Sequence, residues 1–309
     1  MIIQENVSLA PLTTFKVGGL ARFFAVVRSV EELHGVLATA RQNSWQILIL
    51  ADGSNLIISD DDFNGLVISI DINSWRLDGT TLTSGASTSM KELVDTSVEA
   101  GYSGLEWAGG LPGSFGGAIR GNAGCFGGEI KDSIVEVESV ESVTLKKIVR
   151  SQDDCKFGYR DSIFKISSEV IIGAKLRLEP GDRVELRRIA DDHIHYRQTH
   201  HPMKYPNSGS IFKNVPLEQV PKVHLPLFKD AIKNDPFPLV PTAKIIAVAG
   251  LKGWRVGDAQ LSEKHSNYIV NLGQAKAADI VTLIEKIKTE IKSRYQIELE
   301  VEPQLVGFD

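Results

Sequence analysis

GGLPGSFGGAIRGNAGCFGG, residues 109–128, is the stretch of the sequence that decides the fold. Nine of its twenty residues are glycine. Because glycine loses the most backbone entropy on folding, such a run indicates positive φ angles or close approach of the backbone to another group. A pyrophosphate held by backbone N–H groups is one such partner. Tight turns between strands are the alternative, and the chain contains neither GxGxxG nor the Gly-Lys pair of a P-loop.

The composition limits the class of protein. The 309 residues exceed the size at which a single core stops growing, so we expect two or three subdomains. With 42% apolar and 24% charged residues and no long apolar run, the chain is typical of a globular protein without a membrane span. The net charge of −5 argues against nonspecific binding to nucleic acid. Two cysteines and an N-terminus unlike a secretory signal favour the cytoplasm.

The hydrophobic periodicity predicts a mixed α+β chain, not a regular βαβ series. A first unit combines a helix over 30–43 with strands over 47–50 and 66–70. A second unit is rich in strands around one helix, predicted over 80–84, 134–145 and 170–178, with the helix at 90–100. A charged helix over 180–198 precedes THHPMKYPNSGS, residues 199–210, whose Pro, Asn, Ser and Gly are typical of a connector. Beyond it we predict helices over 243–249 and 275–294 and a strand over 298–306.

Seven blocks of sequence span almost the whole chain. The glycine-rich block is GLEWAGGLPGSFGGAIRGNAGCFGGEI, residues 104–130. The other six are TTFKVGG (13–19), DGSNLI (52–57), CKFGYRDSIFK (155–165), YPNSGSIFKN (205–214), AGLKGWRVGDAQLSEKHSNYIVN (249–271) and LEVEPQLVG (299–307). Together the seven blocks resemble the UDP-N-acetylenolpyruvoylglucosamine reductase family.

The resemblance implies the two-subdomain FAD-binding fold of the vanillyl-alcohol-oxidase/PCMH type with a separate α+β substrate domain. The implied parts are 1–72, with the terminal strand 297–309 packing back onto it, 73–198, and the substrate domain 199–296. It also implies non-covalent FAD, NADPH as reductant, and reduction of UDP-N-acetylglucosamine enolpyruvate to UDP-N-acetylmuramate in peptidoglycan precursor synthesis. About fifty residues separate Arg160 from Ser210. That spacing resembles the shorter type II form, which lacks a loop tyrosine.

Three residues match the catalytic positions of the family. Arg160 is the expected partner of the substrate carboxylate, since a guanidinium stays charged and can donate two parallel bonds. Ser210 matches the proton donor and Glu302 the glutamate of the terminal block. Glu300 is the rival to Glu302, because residues two apart in a strand share a face.

The remaining site residues also come from the resemblance. Substrate contacts are expected from Tyr159, Lys204, Lys213 and Asn214. Cofactor contacts are expected from two groups of small residues: Gly53, Ser54, Asn55, and Gly113, Ser114, Gly116, Gly117, Asn122, Gly124.

Other interpretations stay open at this point. A flavin oxidase of the same superfamily would keep the FAD glycines, and a non-catalytic flavin- or nucleotide-binding protein would keep the fold. We expect no metal site from the four histidines His193, His195, His200 and His201, because HxH on a helix points its rings to different faces. Cys125 lacks a CxxC partner, so a buried or semi-buried thiol is expected. We expect a monomer that binds neither nucleic acid nor membrane.

Overall fold

The computed structural model describes residues 2–308. Within them lie six α-helices: α1 (Val30–Gln42), α2 (Met90–Glu99), α3 (Phe115–Gly121), α4 (Arg183–His200), α5 (Thr242–Val248) and α6 (Ala277–Tyr295). The first strands are β1 (Ile3–Ser8), β2 (Leu20–Val27), β3 (Gln46–Leu50), β4 (Leu56–Ile58), β5 (Phe63–Ile70), β6 (Trp75–Asp78), β7 (Thr81–Gly85), β8 (Tyr102–Ser103), β9 (Gly124–Cys125) and β10 (Gly128–Glu129). The later ones are β11 (Ile134–Glu141), β12 (Lys147–Ser151), β13 (Glu169–Arg177), β14 (Glu179–Pro180), β15 (Val215–Pro216), β16 (Leu239–Val240), β17 (Arg255–Val256), β18 (Ala259–Leu261), β19 (Ile269–Asn271) and β20 (Gln304–Val306).

The chain divides into two compact units. Unit 1 comprises 1–7, 21–52 and 64–197, and unit 2 comprises 8–20, 53–63 and 198–309. Each unit has its own cluster of buried apolar side chains. The sequence predicts three parts, a finer division than these two units, and this three-part division stays a prediction. Among residues 2–308, no helix is both long enough and apolar enough to cross a membrane.

Unit 1 contains two main sheets, besides the two-stranded pairs β9-β10 and β8-β14. The smaller has the order β1-β2-β5-β3, and its β3 and β5 run parallel. The larger has the order β12-β11-β13-β7-β6, and its neighbouring strands are antiparallel. Helix α1 begins where the Ser29 side chain accepts a hydrogen bond from the Glu32 N–H, and α2 begins in the same way at Ser89.

The long helices follow the hydrophobic period closely. The predicted helices at 30–43, 90–100, 243–249 and 275–294 are confirmed within two residues at each end. Helix α4 starts at Arg183, three residues after the predicted start, because Asp182 accepts a hydrogen bond from the Glu185 N–H and so forms the first turn. The predicted strand 134–145 is shorter, ending at Glu141, since the chain turns there into β12.

Unit 2 is built around α6. Its buried side contributes Ile280, Leu283, Ile284, Ile287 and Ile291 to the second core. The antiparallel sheet β17-β18-β19 and helix α5 belong to the same unit. The two carboxylate oxygens of Asp60 accept hydrogen bonds from the Ala277 and Ala278 N–H groups at 2.9 and 3.1 Å, so the first turn of α6 is satisfied within the protein.

The C-terminal segment pairs twice, with two different partners. Around Val301 the backbone bridges to Phe212, and after Pro303 strand β20 runs parallel to β4. The predicted strand 298–306 is therefore wrong as one continuous element. Its physical reason is Pro303, which has no N–H to donate and lies where the chain changes partners.

Candidate active site

The start of α3 is held by the protein's own groups. The Ser114 hydroxyl accepts a hydrogen bond from the Gly117 N–H at 3.4 Å, and the Gly116 N–H donates to the Ala86 carbonyl at 2.7 Å. A Cβ at Gly116 would lie 2.9 Å from the Ala86 Cβ, so a glycine is required for this close approach. Gly116 and Gly117 thus use their N–H groups inside the fold. The N–H groups of Gly113 and Ser114 donate to no acceptor among residues 2–308.

Asn122 ends α3 in the left-handed conformation, with φ of +41°. Its side chain is fully buried. The amide nitrogen donates to the Gly158 carbonyl at 2.8 Å, and the amide oxygen accepts from the Lys131 N–H at 3.3 Å. The structure therefore gives Asn122, expected from the sequence to contact the cofactor, two contacts with the protein itself.

Arg160 lies in a tight turn. Gly158 and Asp161 exchange two backbone hydrogen bonds across it, at 3.0 and 3.2 Å. Arg160 has φ of +54°, a region that bulky L-residues rarely adopt and that persists only when neighbouring contacts enforce it. The Lys165 ammonium donates to the Arg160 carbonyl at 2.5 Å and so supports the turn.

The Arg160 side chain is directed by the β9–β10 hairpin. One of its terminal nitrogens donates to the Gly124 carbonyl at 2.6 Å, and its guanidinium carbon lies 5.1 Å from the centre of the Tyr159 ring. A Cβ at Gly124 would lie 2.6 Å from the Glu129 Cγ. Gly124 is thus a contact of Arg160, and its lack of a side chain lets the hairpin close.

The Gly53-Ser54-Asn55 turn belongs to unit 2. Gly53 has φ of +59°, and a Cβ there would lie 2.4 Å from the Leu12 carbonyl oxygen. Its own carbonyl accepts from the Thr14 N–H at 3.1 Å. The N–H groups of these three turn residues donate to no acceptor among residues 2–308.

Ser210 lies in a segment fixed by Asn267. The Asn267 side chain accepts from the Phe212 N–H at 3.1 Å and donates to the Phe212 carbonyl at 2.8 Å, while its backbone carbonyl accepts from the Ile211 N–H. Gly209, at φ of +83°, provides the turn before Ser210. Asn267 was not singled out from the sequence. The signal for it was its place in the KHSNYIVN block.

The C-terminal block distinguishes its two glutamates. The Glu302 N–H donates to the Ile211 carbonyl at 2.8 Å, so Glu302 lies beside the residue that follows Ser210. Glu300 instead forms an ion pair with Lys213 at 2.5 Å, and its side chain is 70% exposed. The backbone of Glu302 therefore pairs one residue away from Ser210, whereas Glu300 pairs with Lys213, three residues away.

The other expected substrate residues are placed as follows. The Lys213 side chain is largely buried, and its ammonium forms an ion pair with the Glu300 carboxylate. The Asn214 side-chain oxygen accepts from the Thr242 N–H at 3.2 Å. Lys204 is exposed, with its ammonium 5.5 Å from the centre of the Tyr205 ring.

The histidines and cysteines pack against neighbouring groups. Among the described residues, no group of three or more His, Cys, Asp or Glu side chains could hold a metal ion. The His193 ring stacks on Phe126 with centroids 4.0 Å apart. The Cys125 thiol is half-buried and lies 2.8 Å from an Arg197 nitrogen, and burial raises its pKa despite that charge.

The residues present fit a dinucleotide cofactor. Buried backbone N–H groups in folded proteins are nearly always paired. Ser114 in unit 1 and Gly53 in unit 2 are buried, yet their N–H groups have no protein acceptor among residues 2–308. The N–H groups of the more exposed Gly113, Ser54 and Asn55 also have none. A phosphate oxygen is the acceptor that such turns bind. FAD carries a diphosphate of this kind.

Comparison with known proteins agrees with this geometry. Residues 21–144 match the profile of an FAD binding domain, and residues 201–306 match that of the UDP-N-acetylenolpyruvoylglucosamine reductase C-terminal domain. The UDP-N-acetylenolpyruvoylglucosamine reductase of Synechococcus sp. (strain JA-3-3Ab) is 37% identical over 99% of this chain and 92% of its own length. That of Clostridium novyi (strain NT) is 33% identical over 99% and 92%. The crystal structure of the reductase from Thermus caldophilus matches with a TM-score of 0.79 at 30% identity, covering 99% of this chain and 100% of that one.

The FAD-binding domain and the turns that fit a diphosphate define a flavoprotein oxidoreductase. Within that class, the chain belongs to the UDP-N-acetylenolpyruvoylglucosamine reductase family of peptidoglycan precursor synthesis. The family, the fold class, FAD as the cofactor and NADPH as the reductant, all expected from the sequence, are confirmed.

Proposed function

We propose that this chain reduces the enolpyruvyl double bond of UDP-N-acetylglucosamine enolpyruvate to give UDP-N-acetylmuramate, with NADPH as reductant and non-covalently bound FAD. Family membership supports the reaction. The observation that carries the residue roles is the register of the C-terminal block. Glu302 is bonded to the residue after Ser210, whereas Glu300 is paired with Lys213.

Reduction of this double bond sets two tasks for the protein. When bound, FAD supplies the hydride that adds to the terminal carbon of the enolpyruvyl group. Negative charge then develops on the adjacent carbon and spreads into the carboxylate. A fixed cation at the carboxylate and a proton donor at that carbon lower the barrier most when they are positioned before the reaction.

Arg160 performs the first task. Its guanidinium remains charged at any physiological pH and can engage a carboxylate through parallel donors. The turn from Gly158 to Asp161, the Lys165 contact and the bond to the Gly124 carbonyl restrict its position. Such restriction is the preorganisation that electrostatic catalysis needs.

Ser210 and Glu302 perform the second task. Ser210 donates a proton to the carbon, because a carbanionic enolate is basic enough to accept one from a positioned hydroxyl. Glu302 stabilises the enol form of the carboxylate next to it. The Asn267 bonds to Phe212, together with the pairing of Ile211 and Lys213 with the terminal block, fix the segment that carries the donor.

The two sets of turns hold the cofactor and the substrate. The N–H groups of Gly53, Ser54, Asn55, Gly113 and Ser114 bind phosphate oxygens of FAD, while Gly116, Gly117, Asn122 and Gly124 shape the backbone beside them. Tyr159, Lys204, Lys213 and Asn214 contact the sugar nucleotide. Lys213 does so by exchanging its Glu300 partner, whose side chain is mostly exposed, for a ligand oxygen.

The proposal also covers the setting of the enzyme. It acts as a monomer of the shorter type II form, in the cytoplasm, where NADPH and nucleotide sugars are available. A net charge of −5 supports the absence of a nucleic-acid partner. We propose no membrane partner.

An anaerobic stopped-flow experiment tests the reaction. NADPH should bleach the long-wavelength flavin band of the purified protein, and UDP-N-acetylglucosamine enolpyruvate should restore it. Ser210→Ala should slow the second step by about 10²-fold or more and leave the first unchanged. Flavin that returns only with oxygen would favour a flavin oxidase and contradict the proposal.

A further inference from the structure

Arg120 is a cation whose side chain has no hydrogen-bonded partner among residues 2–308. Its guanidinium forms no hydrogen bond or ion pair with any described residue, although it is half-buried. Arg177 and Arg183 likewise have no partner within residues 2–308, but both are exposed and can be hydrated. Burial lowers the pKa of the Arg120 guanidinium, and the charge of Asp161 offsets only part of this effect. Polar groups shielded from water are normally hydrogen-bonded. Arg120 is partly shielded and has no acceptor within residues 2–308.

Helix α3 presents Arg120 on a face almost free of side chains. Phe115, Ala118 and Ile119 are buried on one side of the helix. The other side carries Gly117, Arg120 and Gly121, while Gly116 packs against Ala86. An added Cβ at Gly121 would meet nothing within 4 Å, and one at Gly117 only the Ser114 hydroxyl at 3.4 Å. The face is therefore bare backbone with a single positive charge.

We propose that Arg120 binds a phosphate group of a nucleotide ligand. A guanidinium donates two parallel hydrogen bonds to a phosphate, and the bare face of α3 lets a ligand approach the backbone closely. Three ligands of the enzyme carry such groups: FAD, NADPH and the UDP-sugar. Of these three ligands, only the UDP-sugar depends on the proposed function, on which this inference rests in that one respect.

The alternative role for Arg120 is structural. A structural arginine makes contacts within the fold, so its removal lowers the stability of the protein without any ligand. A ligand-binding arginine without internal partners leaves that stability unchanged or raises it, because the unpaired charge disappears. The melting temperature of the FAD-free protein therefore distinguishes the two roles.

The test compares Arg120→Met and Arg120→Lys with Arg177→Met, which removes an exposed, unpartnered charge of the same sign. Equilibrium titrations measure binding of FAD to the FAD-free protein, and of NADP+, NAD+ and UDP to the holoenzyme. We expect Arg120→Met to weaken one ligand by at least tenfold, Arg120→Lys to recover part of the loss, and Arg177→Met to stay within twofold of wild type.

The pattern of weakening identifies the source of the phosphate. Weaker FAD binding assigns the flavin diphosphate, weaker NADP+ binding with unchanged NAD+ binding assigns the 2′-phosphate, and weaker UDP binding assigns the sugar nucleotide. Binding of every ligand within twofold of the control, or a lowered melting temperature of FAD-free Arg120→Met, overturns the proposal. Because the readouts are binding equilibria, wild-type protein that binds FAD but does not reduce the enolpyruvyl sugar refutes the proposed reaction alone.

Discussion

Asn122 links two parts of unit 1 through a single side chain. Its amide nitrogen bonds the Gly158 carbonyl at the start of the Arg160 turn, and its amide oxygen bonds the Lys131 N–H. Its left-handed φ of +41° suits Asn and Gly better than other residues. This makes two substitutions informative, because Asp keeps the oxygen acceptor and Gly keeps the backbone.

We expect Asn122→Asp to lower kcat by roughly 10- to 100-fold with FAD still bound, since a 1 Å displacement of a catalytic group costs about that much. The carboxylate cannot donate to the Gly158 carbonyl. Steady-state kinetics and the flavin absorbance of the purified protein measure the two effects. Asn122→Gly is the control that loses the side chain without straining φ. Full activity in both variants would contradict the positioning role.

The two C-terminal glutamates should differ in their effect on catalysis. We expect Glu302→Gln to lower kcat by about 10²-fold, the lower end of the range for a group that acts on a proton in the transition state. Glu300→Gln should change kcat by less than about threefold, because the Glu300 carboxylate is mostly exposed to solvent. Steady-state assays at saturating substrate measure kcat for Glu302→Gln and Glu300→Gln. A larger loss for Glu300→Gln would reverse the assignment.

His265 gives the protein a pH-dependent stability. Burial first, and then the charges of Lys252 and His200, lower its pKa to about 4, and its Nδ1 accepts from the Asn267 N–H at 3.3 Å. The rings of His201 and Tyr268 pack against it. The folded state therefore keeps His265 neutral, whereas the unfolded chain binds a proton near pH 6.5.

Acid should thus favour the unfolded state through His265. This destabilising contribution of His265 to the free energy of unfolding is absent above about pH 6.5 and grows as the pH falls toward 4. Between pH 7 and 4.5 the wild-type protein should lose on the order of 2 kcal/mol more unfolding free energy than His265→Gln, since one pKa unit is worth about 1.4 kcal/mol. Urea titrations across this range measure the difference. Parallel pH curves for the two proteins would exclude this effect.

At the scale of elements, the Gly53 turn depends on two separate properties of glycine. Its φ is +59°, and an added Cβ would lie 2.4 Å from the Leu12 carbonyl oxygen. Gly79, in the β6–β7 turn, has a similar φ of +54° but nothing within 4 Å of an added Cβ. The pair therefore separates backbone strain from steric clash.

We expect Gly79→Ala to cost about 1 kcal/mol of unfolding free energy, the strain of a left-handed residue with a Cβ. Gly53→Ala should cost clearly more, about 3 kcal/mol, and should reduce the bound FAD because the turn must move. Urea unfolding and the flavin-to-protein absorbance ratio measure both quantities. An equal loss of unfolding free energy in the two variants would mean that the Leu12 carbonyl can move away from an added Cβ without destabilising the fold.

The elements differ in how far the sequence determines them. Helices α1, α2 and α6 are predictable because each buries a stripe of apolar residues at the helical period. Helix α3 is not, since only three of its seven residues are buried and the rest are mostly glycine. The break at Pro303 also escapes prediction, because the change of partner depends on Phe212 and on β4, which are distant in sequence.

At the scale of the whole molecule, the two cores suggest independent unfolding. Each unit has its own cluster of buried apolar residues. We expect the FAD-free protein to deviate from two-state unfolding, with a calorimetric enthalpy larger than the van't Hoff enthalpy. Differential scanning calorimetry gives both values. A ratio of one, with coincident circular dichroism and fluorescence transitions, would show a single cooperative unit.

The candidate site was predictable in its residue types and less so in their contacts. The motif blocks identified Arg160, Ser210 and Glu302, whose roles remain proposals. Their supports are long-range contacts that no local pattern encodes. The bond from Asn122 to the Gly158 carbonyl spans 36 residues, and that from Asn267 to Phe212 spans 55. The choice between Glu300 and Glu302 likewise required the pairing of residues 211–213 with the terminal block.

The parallel pair of β4 and β20 has a consequence for synthesis on the ribosome. Leu56 pairs with Gln304, so strand β4 emerges long before its partner exists. At roughly 5–20 residues per second, the wait is on the order of 10–50 s. During this time the apolar edge of β4 is unpaired, and such an edge can recruit other chains. The nascent polypeptide is therefore exposed to misassembly until β20 is translated, and a premature stop codon before residue 304 would leave β4 permanently unpaired.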